Sequence, residues 1–87
     1  MQRKRMLLRR LRLARGLTQK ALAERAGCPV VSVARIEGGL EPPYPKRGAK
    51  IADALGWCGD NDALYSDELT EQEVEEALRA CISSGAA

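Results

Sequence analysis

In the stretch CPVVSVARIEGG, residues 28–39, Arg35 is the one side chain that can donate two parallel hydrogen bonds to a planar pair of acceptors. If the stretch is helical, Val33 and Ile36 share one face, and Val30, Val31, Ala34, Arg35 and Gly38 lie on the other. Adjacent valines are unusual on a face meant for water. They offer shape and apolar contact only, so this surface reads as made for a partner. The alternative is that Val30 or Val31 is buried against the following loop or another chain.

Other chemistries are poorly supplied. The chain of 87 residues contains no histidine, which removes the commonest general base and any zinc cluster of ordinary spacing. Cys28, Cys58 and Cys81 are far apart and odd in number, and read as small, partly buried apolar residues in a reducing compartment. No nucleophile–base pair, metal cluster or glycine-rich phosphate loop is present, so neither an enzyme, a metal nor a cofactor is expected.

The charge points elsewhere. A net charge of +2 hides a division: residues 1–52 carry 13 of the 14 Lys and Arg and three acids, while residues 53–87 carry nine acids and Arg79. A front half at +10 beside a back half at −8 suggests a polyanionic partner for the front, with nucleic acid favoured over a merely solvated surface.

These residues need elements to hold them. Leu7, Leu8, Leu11 and Ala14 recur at helical spacing, which predicts a helix over 4–15 stopped by Gly16. Thr18 is an N-cap for a second helix, Gln19 to Ala26, ended by Gly27. Pro29 stands where a third helix begins, running to about Glu37. After the loop GGLEPPYP, a fourth helix is expected from Pro45 to Leu55, then one helical turn near Asp62–Tyr65. Thr70 and Glu73 form a capping box, with Leu69 and Val74 able to close a hydrophobic staple. Beyond it, Val74, Ala77, Leu78, Cys81 and Ile82 form one apolar stripe, and Glu75 can pair with Arg79. So short a helix must pack on the domain or on another chain. The fold class is all-α.

The short turn at Gly27 fits a helix-turn-helix, with Ala23 small at the crossing and Val33 and Ile36 plugging the core. The stretch from about Leu7 to Trp57 resembles the Cro/CI-type (XRE) family through LRLARGLTQKALAERAG, SVARIEGG and IADALGW. The resemblance implies a lambda-repressor-like five-helix bundle that binds double-stranded operator DNA, usually as a homodimer. It makes residues 7–57 the DNA-binding domain, with 1–6 a basic arm and 58–87 an acidic turn and C-terminal helix for packing or dimerisation. It implies that Gln19 holds a backbone phosphate and that Arg12 and Glu37 form a partly buried salt bridge. Pro29, Val30, Val31 and Arg35 then occupy base-reading positions, and Ser32 a phosphate contact. Leu40 and Glu41 stand where the family often has phosphate-binding cations, and Lys46, Arg47 and Lys50 are candidates to replace them. Arg3-Lys4-Arg5 is either a groove-tracking arm or a solvated terminus.

The expected function is a sequence-specific transcriptional regulator that represses by occupying an operator through the major groove. The alternative is a protein-interaction module, such as an antitoxin or anti-repressor subunit docking through the acidic C-terminal helix. The basic start, broken by arginines, lacks the apolar run of a signal peptide or membrane span, so a cytoplasmic protein with no membrane partner is expected.

Overall fold

The computed structural model describes residues 5–84, with side chains described through Cys81. Among the described residues there are six helices and no strand: α1 Met6–Ala14, α2 Gln19–Ala26, α3 Val30–Glu37, α4 Pro45–Leu55, α5 Asn61–Leu64 and α6 Glu71–Ser84. The expected all-α bundle with an added C-terminal helix is what the chain adopts.

Local chemistry sets the boundaries. Thr18 Oγ1 accepts a hydrogen bond from the Ala21 amide at 3.0 Å and so caps α2. At the other end Gly27 takes φ 71°, ψ 37°, a left-handed conformation that costs glycine nothing, and the Cys28 amide closes on Ala23 O at 3.0 Å. The chain thereby leaves α2 and enters α3 within three residues. Pro29 is the extended N-cap of α3 and not its first helical residue, since its ψ is 143°. The capping box of α6 is complete: Thr70 Oγ1 accepts from the Glu73 amide, and Glu73 Oε1 from the Thr70 amide, each at 3.2 Å.

Leu7, Leu8, Leu11, Leu22, Val33, Ile36, Ile51, Leu55 and Leu64 form the core and are fully buried. In it α2 packs on α3 and α4, α5 on α4, and α6 on α1. Val74 and Cys81 of α6 are buried in the same core, with Leu69, Ala77 and Leu78 packed against it. The acidic half is thus continuous with the bundle. Ile82, expected in the same stripe, lies outside the described side chains.

Two expectations about these helices fail for simple reasons. Ala14 is exposed, being the last residue of α1. Glu75 lies 4.0 Å from Arg10 of α1, so an interhelical cation stands where Arg79 was expected. No described helix is long and apolar enough to cross a membrane.

Candidate nucleic-acid interface

α3 is held from three sides, and each hold uses an arginine. Arg12 of α1 meets Glu37 through two hydrogen bonds, Nε to Oε2 and Nη2 to Oε1, both 2.9 Å. The two residues are 8% and 5% exposed, which makes this a buried, bidentate pair. Arg12 Nη1 also donates to Leu17 O at 2.8 Å, so the same guanidinium fixes the turn into α2. The pair implied by the family resemblance is present.

The second hold was not legible in the sequence. Arg5, expected in a basic arm, is a clasp. Its guanidinium donates to Ile36 O, to Glu41 O and to Tyr65 O, and its amide to Glu37 O. It places a cation and donors at the negative end of α3, on Ile36 O and Glu37 O, and ties that end to the carbonyls of Glu41 and Tyr65. Arg3 and Lys4 lie outside the described residues. The third hold joins α4 to α3: Arg47 Nη1 donates to Ser32 Oγ at 3.1 Å. Ser32 is 7% exposed, so its hydroxyl faces Arg47 and not the solvent side of α3. A phosphate contact at Ser32 would share that hydroxyl with Arg47.

A similar clasp serves α4. Arg15 Nε donates to Leu55 O at 2.9 Å, beside the left-handed Gly56. Arg5, Arg12 and Arg15 are therefore committed inside the bundle, and the formal charge of the front half overstates what it can offer a polyanion.

With its inner face locked by Val33 and Ile36, α3 turns the other face outward. Val30 and Val31 are 46% and 56% exposed, and Arg35 is exposed beside them. Burial of either valine against the loop is thereby overturned. Pro29 is also exposed, and Ala34 and Gly38 are half-buried. No carboxylate belongs to this face, since Glu37 is turned inward onto Arg12.

Polar recesses flank both ends of α3. One is lined by Arg9, Gln19, Ala34, Glu37 and Gly38, with Gln19 in the first turn of α2. The other is lined by Gly27, Cys28, Pro29, Lys46, Arg47 and Lys50, where α4 begins beside the turn. Lys46 and Lys50 are exposed, while Arg47 is half-buried and engaged with Ser32. A helix N-terminus with a cation or amide side chain nearby favours an anion. Cys28 is half-buried and Cys58 is exposed, so Cys58 is not the partly buried residue expected. No group of three or more His, Cys, Asp or Glu that could hold a metal occurs among the described residues.

Behind the interface, Tyr65 Oη donates to Gly48 O at 2.6 Å and locks α5 to α4. A Cβ on Gly48 would approach the Tyr65 ring at 3.3 Å, which explains a glycine inside α4. Burial pushes the Tyr65 phenol well above its ordinary pKa; the nearby Arg5 charge opposes the shift and Cys28 adds to it.

An α-helix with one fork donor among apolar groups, standing between two polar recesses of which the one at Lys46, Arg47 and Lys50 is cationic, has the dimensions and polarity to enter a major groove. Among curated proteins and solved structures, none matches the chain. The family profile described as Helix-turn-helix domain matches residues 5–64, which take in the Arg5 clasp and the buried Leu64 at either end. The chain belongs to the helix-turn-helix domain family, and it is a DNA-binding protein.

Proposed function

We propose that the protein is a sequence-specific transcriptional regulator of the Cro/CI type, which represses by seating α3 in the major groove of an operator. The outward face of α3 carries this reading. Arg35 donates to O6 and N7 of a guanine, a contact worth about 1–3 kcal/mol of discrimination, and Val30 and Val31 lie against thymine methyl groups. Gln19, Lys46 and Arg47 hold phosphates at the two flanking recesses, with Arg47 keeping its tie to Ser32. Pro29, exposed at the N-cap of α3, supplies apolar contact to the groove wall.

As a homodimer the protein would read a palindrome whose half-sites are about 34 Å apart. The protein-interaction alternative keeps one of its two supports, the exposed Val30 and Val31, while Val74 and Cys81 of the apolar stripe are covered by the bundle.

Selection of bound duplexes from a random pool, followed by titration of salt, tests the proposal. One enriched motif whose affinity falls steeply with salt is expected. Retention of every duplex alike, or of none at low salt, contradicts it.

A further inference from the structure

The geometry points to a narrower specificity, which rests on the major-groove reading above: α3 recognises a pyrimidine by its C5 methyl group beside a guanine held by Arg35. Thymine–guanine and 5-methylcytosine–guanine steps are then both targets.

The outward face carries one hydrogen-bonding fork and two exposed valines, with no polar reader between them. Val31 and Arg35 are one helical turn apart, so their Cβ atoms are about 5–6 Å from each other. Side chains on a helix lean towards its N-terminus, which lays the Arg35 stem over Val31. Two side chains so placed span the step of about 3.4 Å between neighbouring base pairs. Valine in a helix is held near one χ1 rotamer, so its methyl groups are presented without a large loss of freedom on contact.

The edge opposite these valines decides the chemistry. Valine leaves the polar groups of any base edge without a partner, the thymine O4 and the cytosine amino group alike, so the methyl is what separates one pyrimidine from another. The apolar feature of a major-groove edge is the C5 methyl of thymine. 5-Methylcytosine carries the same methyl at the same ring position. With Arg35 occupied by the adjacent guanine, the valines meet that methyl whether the base is thymine or methylated cytosine.

The full-length chain and its selected duplex supply the test. Each thymine is replaced in turn by deoxyuridine, which removes the methyl and nothing else, then by cytosine and by 5-methylcytosine. At a thymine beside the guanine that requires Arg35, deoxyuridine should weaken binding about fourfold, the worth of one buried methyl. Cytosine should weaken it at least as much, and 5-methylcytosine should recover about fourfold over cytosine. Val31→Ala should erase the thymine–deoxyuridine difference with an unchanged circular dichroism spectrum, because Val31 is exposed. Equal affinity for thymine and deoxyuridine at every position, no gain from 5-methylcytosine, or a selected site lacking a thymine beside guanine overturns the inference. A duplex enriched yet indifferent to methyl groups leaves the major-groove reading standing, whereas failure to enrich any duplex removes both.

Discussion

Arg12 and Glu37, 25 residues apart, share two parallel hydrogen bonds of 2.9 Å inside the bundle. Arg9 is 3.9 Å from the same carboxylate but half exposed, so Arg12 is the partner that matters. Loss of one member strands the other in a dry environment, which costs about 3–5 kcal/mol. A small domain has about 5–15 kcal/mol in total. Glu37→Ala should therefore lower the melting temperature sharply and abolish DNA binding through unfolding. An unchanged melting temperature would contradict the buried-pair account.

Arg5→Ala separates a clasp from an arm. A free arm would contribute to DNA affinity and nothing to the melt. The clasp loses hydrogen bonds to Ile36, Glu41 and Tyr65 carbonyls, and the variant should lose about 2 kcal/mol of stability in urea denaturation.

Tyr65 makes stability fall in alkali. Its pKa is raised in the fold from an ordinary value of 10, so the unfolded chain releases the phenol proton first. The stabilising effect is complete below pH 10 and is lost as pH rises towards the folded value. The slope should approach about 1.4 kcal/mol per pH unit above pH ~10. Thermal melts between pH 8.5 and about 11 should show it in the wild type, and Tyr65→Phe should flatten it.

Gln19→Ala and Lys46→Ala remove phosphate contacts in the proposed interface. Each should weaken selected and scrambled duplexes alike. Lys46→Ala should also reduce the salt slope by about one, the signature of one lost cation–phosphate contact. Fluorescence anisotropy on both duplexes at several salt concentrations measures this.

What could be read from the residues, and what could not, follows the distance over which each feature is decided. The α2–α3 turn is local: Thr18, Gly27 and the spacing of Val33 and Ile36 settle it within twenty residues. The capping box at Thr70 and Glu73 is more local still. Arg12 with Glu37 was accessible through the family resemblance alone, since nothing in the spacing ties two residues on different helices. Arg5 was misread because a run of cations at a chain start looks the same whether it is free or clasped. Its acceptors are backbone carbonyls up to 60 residues away and leave no mark in residue type. The tie between Ser32 and Arg47 was hidden for a related reason. The Ser32 face of α3 turns towards solvent or towards Arg47 according to where α4 docks, and the proline-rich loop hides that from the pattern.

The central claim is that Arg35 reaches the edge of a guanine from the outward face of α3. Replacing each guanine of the selected duplex by 7-deazaguanine removes N7 while leaving base pairing intact. Wild-type binding should weaken by about 1–3 kcal/mol at one guanine, and Arg35→Ala should be weakened already and indifferent to that replacement. If Arg35→Ala responds to the same 7-deazaguanine as strongly as the wild type does, Arg35 is not the reader and the account is contradicted.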